Sequence, residues 1–393
     1  MDILLVTNLY PSYKGQPNYE VTYAIHEFVK KWKDKGHVVK VINIFAQTNL
    51  KKKKQQHLVY IDDIEVHVQS IQKFRGLNVL ERTLRNVANY VCMDICANFT
   101  PDVVVSHKSN PNLFIAAHIK RMLQKPLVHV FHKSDMLNLE RNFLYKTKIL
   151  RYLKYVDMLG FRSTSLRDRY MAIDSKSNVP SFVIPSGIEL SQVVSDEFIS
   201  EKHNRTIRTV FVAARLVKQK NIDLLIKGIY KLGDKNVQLK IAGKGPEKLQ
   251  LKKLVKELSL DEQVFFLGAL DKDEVQREME HSEVFALLSV EETFGLVYLE
   301  AMAKCSIVIG TKGEGIDGTL VNQENGYLIN PSAENFSFVL ERIISMNKEQ
   351  KKFLMSNAVK TALEYSQEQL ADNYINYLSE VISINKKNDT YFE

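Results

Sequence analysis

The sequence predicts an α/β protein built from two doubly wound domains with mostly parallel sheets. Three observations lead there. Short apolar, strand-like runs alternate with stretches of helical period almost from end to end, which is the pattern of βαβ units. The alternation halts in a polar stretch near residue 200 and then starts afresh. The chain has 393 residues, too many for one ordinary domain and suited to two.

Element by element, residues 2–8 (DILLVTN) read as a buried strand, and 19–35 carry a helical period that closes at Gly36. Further strands are expected at 37–43, 64–68, 102–106, 126–131, 156–161 and 181–185, with helices between most of them. Residues 191–205 are rich in Ser, Lys and Asn and are expected to be a linker. The second series places strands at 209–214, 238–242, 264–267, 284–288, 306–310 and 325–330. Helices are expected at 221–232, 246–258, 272–281, 294–304, 333–346 and 348–384. The expected division is therefore a first domain at 1–190, a linker, a second domain at 206–365 and a terminal helical segment at 366–393. Two such domains bind ligand at the C-terminal ends of their strands, in a cleft between them.

Composition narrows the class. At 45% hydrophobic and 25% charged, the chain is ordinary for a globular protein. The start lacks a basic n-region, and no apolar run reaches the length of a membrane span, so a cytoplasmic protein is expected. Three cysteines, without a second Cys/His pair, suggest neither a disulfide framework nor a zinc site. The charge is uneven. Residues 1–200 carry 28 Lys and Arg against 18 Asp and Glu, a net charge of +10, whereas 201–393 carry −2. An anionic partner is thus expected for the first half only. Membrane surface, lipid phosphate and nucleic acid share that chemistry. The four-lysine run Lys51–Lys54 lies in that half, as does 141–154, a basic amphipathic stretch suited to the inner membrane face or to packing on the sheet.

The most informative stretch is SVEETFGLVYLEAMA at 289–303. Glu292 sits in a strand-to-helix turn, and Glu300 lies about two turns in, on the same face. The helix start between them offers free N–H groups and a positive dipole end. A ligand bearing both hydroxyls and phosphates, such as a nucleotide sugar, fits this arrangement. Arg215 and Lys220 flank the first strand-to-helix turn of the second half and are placed to clamp a diphosphate. Gly243 and Gly245, followed by Pro246, form a glycine-rich turn where backbone approaches a ligand. The third glycine of a dinucleotide fingerprint is missing, which argues against a nicotinamide cofactor. In the first half, His132 and Asp135 follow a buried strand, and Gly15 sits in the first strand-to-helix loop. Asp271 and Asp273 have a spacing seen at metal sites, but their place at a helix start reads as capping, and no metal is expected. Taken singly, each feature also fits a plain structural role.

Taken in order, Arg215 with Lys220, GKGP (243–246), FLG (266–268), ETFGL with LEAMA (292–303) and NGYL (325–328) resemble the retaining glycosyltransferases of family four. The resemblance spans about residues 205–345. It is looser in the first half, through LLVT (4–7), KGHVV (35–39), HKSD (132–135) and IPSGIE (184–189). It implies the GT-B fold, two facing Rossmann-like domains. It also implies roles. Arg215 and Lys220 hold the donor diphosphate and stabilise the leaving charge without metal or cofactor. Glu292 contacts the transferred sugar, and Glu300 contacts the ribose. Gly15, Gly243, Thr293 and the backbone of Phe294, Gly295 and Leu296 complete the donor site. His132 stands by the sugar from across the cleft. The terminal helix crosses back to the first domain. The chain departs from the family pattern in the loop at 310–320, where Glu314-Gly-Ile replaces a common Pro-Glu motif. Gly15 stands alone where a glycine pair is frequent, and Ser186 replaces a common Asn.

The expected activity is metal-independent transfer of a hexosyl unit, with retention, from a UDP- or GDP-linked sugar to a glycan acceptor. The family implies bacterial capsule, teichuronic acid or lipopolysaccharide synthesis, with a lipid-linked acceptor and peripheral contact at the inner membrane face. No nucleic-acid partner is expected. Two other classes stay open: a sugar-nucleotide 2-epimerase and a catalytically silent GT-B partner subunit.

Overall fold

The computed structural model describes residues 1–16, 21, 23–47, 56–72 and 81–390. Lys51–Lys54 lies outside the described residues. The chain divides into two compact units. The first comprises Met1–Arg162, Leu166–Pro185 and Gln367–Glu393, and the second Ser163–Ser165 and Ser186–Ser366.

The first unit carries an eight-stranded sheet. Its strands are β1 (Asp2–Thr7), β2 (Val38–Gln47), β3 (Gln56–Ile61), β4 (Ile64–Gln72), β5 (Val103–His107), β6 (Leu127–Phe131), β7 (Met158–Phe161) and β8 (Ser181–Val183). They lie in the order β3-β4-β2-β1-β5-β6-β7-β8. All pairs are parallel except the hairpin β3–β4. Central strands such as VVVSH and LVHVF are buried along their whole length, as strands covered by helices on both faces must be. The hairpin was expected only in part, with β4 at 64–68, and β3 was not among the expected strands. Its turn is Asp62-Asp63, both with positive φ (49° and 57°), the backbone a two-residue hairpin requires. Asp tolerates that region without announcing it as Gly would.

The second unit carries a six-stranded, wholly parallel sheet. Its strands are β9 (Thr209–Ala213), β10 (Gln238–Ala242), β11 (Val264–Gly268), β12 (Val284–Ala286), β13 (Ile307–Thr311) and β14 (Tyr327–Ile329). The order is β11-β10-β9-β12-β13-β14. The chain therefore winds outward from β9 on one side, returns, and winds outward on the other. The reversal falls between β9 and β12, where doubly wound sheets open a crevice for ligand.

Two expectations need correction. Residues 191–205 are not an extended linker. Asp196–Lys202 is a helix capped by Ser195, and Ile199 packs into the second core. Lys202 is fully buried, its ammonium donating to the carbonyls of Met279 (2.6 Å) and Lys304 (2.7 Å) and to Ser306 Oγ (3.2 Å). The polar residues thus cap and stitch a helix. Residues 348–384 also do not form one helix. Lys348–Glu364 and Gln367–Thr390 are separated at Tyr365–Ser366, where Ile188 N donates to the Tyr365 carbonyl (3.1 Å). No helix among the described residues is long and apolar enough to cross a membrane.

The terminal helix belongs to the first unit through one aromatic cluster. Trp32 is fully buried, donates from Nε1 to the Ala371 carbonyl (3.3 Å) and meets the Tyr374 ring edge-on at 5.0 Å. Phe28 meets Tyr374 at 5.6 Å. Trp32→Ala is therefore expected to lower the unfolding free energy by about 3–5 kcal/mol, read from denaturant unfolding curves.

Candidate active site

The second unit's site is built on the two loops that leave β9 and β12 at the strand-order reversal. The first loop runs from Ala214 to Asn221. The second runs from Leu287 to Gly295 and leads into the helix Leu296–Ala303. They are bonded to each other twice. Val290 N donates to the Gln219 carbonyl (2.8 Å), and Asn221 Nδ2 donates to the Leu288 carbonyl (2.7 Å). Across that seam the Lys220 ammonium forms a salt bridge with Glu292 Oε2. Both side chains are largely withdrawn from solvent, 24% and 19% exposed, so the pair is screened less than a surface one.

The pair keeps spare valence. Glu292 Oε2 also accepts from Ser289 Oγ (3.3 Å), and Oε1 has no donor among the described residues. An ammonium has three hydrogens, and Glu292 uses one. The Glu292 backbone N–H is held by Glu314 Oε2 (2.8 Å), from the loop after β13. Arg215 is exposed, and its guanidinium meets no partner among the described residues. It is set between Ala214 and Leu216, whose backbones abut the next glycine turn. Leu216 N donates to the Lys244 carbonyl (3.0 Å), and Glu247 N donates to the Leu216 carbonyl (3.1 Å).

Gly243 makes that approach possible. Its φ is +140°, and a Cβ there would lie 1.9 Å from the Ala214 carbonyl oxygen. Gly295 is also an obligatory glycine, N-cap of the helix at φ +83°, where a Cβ would strike the Tyr298 ring at 2.6 Å. Tyr298 lies buried beneath and donates to the Leu287 carbonyl (2.6 Å), bracing the turn. The N–H groups of Phe294, Gly295 and Leu296 meet no acceptor among the described residues, as expected of a helix start. Thr293 and Leu296 are half-buried in this turn. Phe294 is buried, its ring stacked on Tyr365 at 6.1 Å. Glu300 is half-buried, and its carboxylate finds no donor among the described residues. Burial raises its pKa, with Lys272 opposing. A withdrawn carboxylate without a donor is a ready acceptor for a ligand hydroxyl.

The structure thus gathers Arg215, Lys220, Gly243, Glu292, Thr293, Phe294, Gly295 and Leu296 at the C-terminal ends of β9, β10 and β12, with Glu300 further along the helix. Gly15 and His132 belong to the other unit. Gly15 lies in the loop after β1, at φ +77° with open space around it. His132 follows β6, and one of its ring nitrogens meets His107 Nδ1 at 3.2 Å. His107 Nε2 in turn meets Tyr374 Oη at 3.1 Å, on the terminal helix. Burial, then the neighbouring His107 and Arg162, push the His132 pKa well below that of a free imidazole, so the ring is neutral. Asp135 is structural rather than ligand-facing. It is buried and accepts from Ser109 N (2.9 Å), His132 N (2.9 Å) and Tyr145 Oη (3.2 Å). Asp271 accepts from Glu274 N (2.8 Å) in a reciprocal helix cap. Among the described residues no three His, Cys, Asp or Glu side chains are grouped to hold a metal ion.

Sequence reading assigned no such role to Ser289 and Glu314, which orient Glu292, and missed His107, which meets His132, and Tyr374, which meets His107. A signal for His107 was present, because His-Lys-Ser recurs at 107–109 and 132–134. These are the ends of two hydrogen-bonded neighbours, β5 and β6.

This geometry can be set beside known proteins. The glycosyltransferase family 4 model matches residues 21–192, and the glycosyl transferases group 1 model matches residues 195–359. A glycosyltransferase of the archaeon Methanocaldococcus jannaschii is 25% identical over 279 residues, 67% of this chain and 71% of that protein. The alpha-monoglucosyldiacylglycerol synthase of Streptococcus pneumoniae is 25% identical over 274 residues, 64% of this chain and 61% of the synthase. Among solved structures, Anabaena HepE in complex with UDP superposes with a TM-score of 0.70 at 16% identity, covering 97% of this chain and all of that one. The fold is GT-B, and the chain is a glycosyltransferase.

The closeness at Gly243 is checkable by stability alone. Gly243→Ala is expected to cost several kcal/mol or to prevent folding of the second unit. Gly233→Ala, where φ is +69° but a Cβ meets nothing, costs about 1 kcal/mol. Thermal melts of the two variants check this.

Proposed function

We propose that the chain transfers a hexosyl unit, with retention of configuration and without a metal, from a UDP- or GDP-linked sugar to a lipid-linked glycan acceptor. The process is bacterial surface-polysaccharide synthesis, with the enzyme peripheral at the inner membrane face. The observation that carries the donor half is the Lys220–Glu292 pair at the strand-order reversal, with Arg215, unpartnered among the described residues, on one side and the open helix start on the other. The UDP held by Anabaena HepE favours the same reading. On the acceptor side, the diacylglycerol in the name of the S. pneumoniae relative favours a lipid.

In this reading the donor diphosphate sits against Arg215, the free hydrogens of Lys220 and the N–H groups of Phe294–Leu296. Glu292 Oε1 accepts from a sugar hydroxyl, and Glu300 accepts from the ribose. The acceptor hydroxyl oxygen attacks the anomeric carbon on the face the diphosphate leaves. The carbon–oxygen bond to phosphate breaks, and the departing phosphate oxygen takes the acceptor's proton. Charge stabilisation of the leaving group does most of the work. Neutral His132 serves as a hydrogen-bonding partner for the sugar.

Lys220→Ala and Glu292→Ala are each expected to cut turnover at least a hundredfold while leaving the melting temperature within a few degrees. Near-normal rates in both would sink the assignment. Incubation with a panel of nucleotide sugars separates the classes: free nucleoside diphosphate for a transferase, an isomerised sugar for an epimerase, no change for a silent subunit.

A further inference from the structure

A second concave site lies in the first unit, away from the strand ends that carry Gly15 and His132. It is a cavity of about 460 Å³ between the helices Glu81–Tyr90, Phe114–Leu123 and Phe143–Leu153. Arg85, Arg121, Lys148 and Arg151 line it, against one carboxylate, Glu81. That carboxylate is already engaged, accepting from Tyr152 Oη (2.5 Å) and His118 Nε2 (2.9 Å). Arg85 stands 3.9 Å from Glu81 as an i,i+4 ion pair, whereas two of the other cations are held by aromatic faces. The Lys148 ammonium stands 4.2 Å from the Phe114 ring centre, and the Arg121 guanidinium 5.7 Å from that of Tyr155. Arg151 meets no carboxylate among the described residues. Arg121, Lys148 and Arg151 thus form no ion pair among the described residues, which suits a phosphate: Arg offers a planar fork, and Lys a point charge.

Beside this cavity stand two consecutive large apolar side chains in solvent. Phe143 is 78% exposed and Leu144, which also lines the cavity, 76%. An isolated exposed apolar residue is ordinary, but two at the rim of a cationic cavity pair an acyl-chain contact with a headgroup contact.

We propose that this cavity binds the phosphate of an anionic phospholipid headgroup while Phe143 and Leu144 enter the acyl boundary, so that the first unit docks on a membrane surface. The proposal rests on the glycosyltransferase reading only in supplying a reason for docking, namely access to a lipid-linked acceptor. Its chemistry stands on the cavity itself. It also gives the net +10 of residues 1–200 a focus.

The test is flotation of the full chain with vesicles of phosphatidylglycerol or of phosphatidylcholine, at about 0.1 M and 0.5 M salt, a range over which the Debye length falls from about 10 Å to less than half that. Four proteins are compared: wild type, R121Q/R151Q, F143S/L144S, and the control K352Q/K360Q, which removes equal charge from the second unit. Binding of wild type to phosphatidylglycerol is expected, with little to phosphatidylcholine. The bound fraction at low salt should fall at least tenfold in R121Q/R151Q and at least threefold in F143S/L144S, and stay at the wild-type level in the control. Failure of wild type to float with phosphatidylglycerol overturns the proposal. So does an equal loss in the control pair, which would mark diffuse charge. So does undiminished binding of R121Q/R151Q. Vesicle-free hydrolysis of the nucleotide sugar that the panel identifies, run on all four, is expected to be unchanged. Its absence in wild type would count against the donor reading and leave the flotation result to stand by itself.

Discussion

The second unit depends on one topological constraint: β9 lies at the middle of its sheet, and the chain leaves it in one direction and comes back on the other side. Backbone hydrogen bonds hold β9 to β10 and to β12, so the loops after β9 and β12 must diverge over opposite helices. What lies between them is a gap lined by backbone and by whatever side chains those loops present. Lys220 comes from one loop and Glu292 from the other, 72 residues later. The salt bridge between them closes the seam, and the bonds through Gln219 and Asn221 fix its register. Every other element of the site leans on that seam. Ser289 and Glu314 orient Glu292, Tyr298 supports the turn, and the bare backbone of Gly243 lets the neighbouring loop close in.

Burial decides how these groups behave. A fully exposed Lys–Glu pair contributes little, because water and salt screen it. Here both partners are mostly withdrawn, but neither is saturated. Among the described residues one carboxylate oxygen and two ammonium hydrogens find no partner and remain for a ligand. Among the described residues Glu300 and the helix start show the same economy of partners, an acceptor without donors and donors without acceptors. A site whose polar groups satisfied one another would be a stable core. One whose groups stay half-satisfied is poised to bind.

The first unit uses the same strand ends differently. Asp135 spends its carboxylate on backbone N–H groups, locking the loops after β5 and β6 together and setting the His107–His132 contact. Tyr374 reaches that pair from the terminal helix, which is anchored by Trp32 some 340 residues earlier in the chain. Its cations are arranged on another principle. On the helices beside the sheet, aromatic rings hold Lys148 and Arg121 without neutralising them.

The linear chain by itself determined the α/β class, the two-fold restart of the pattern and most strands, because a strand buried on both faces must be a continuous apolar run. It also determined the local turns of the donor site. GKGP and EETFG are short-range features whose glycines and acids are dictated by backbone conformation within a few residues. Tertiary structure alone decided the rest. The polar stretch 191–205 became a packed helix because distant carbonyls of Met279 and Lys304 were there to receive Lys202. The β3–β4 hairpin needed a neighbouring strand, β2, to pair with. The partners of Glu292 and His107 lie up to 267 residues away, and hydrogen bonds carry no trace of themselves in sequence spacing. Local sequence sets which conformation a segment can hold. Only the packed chain sets which half-satisfied groups come to face one another.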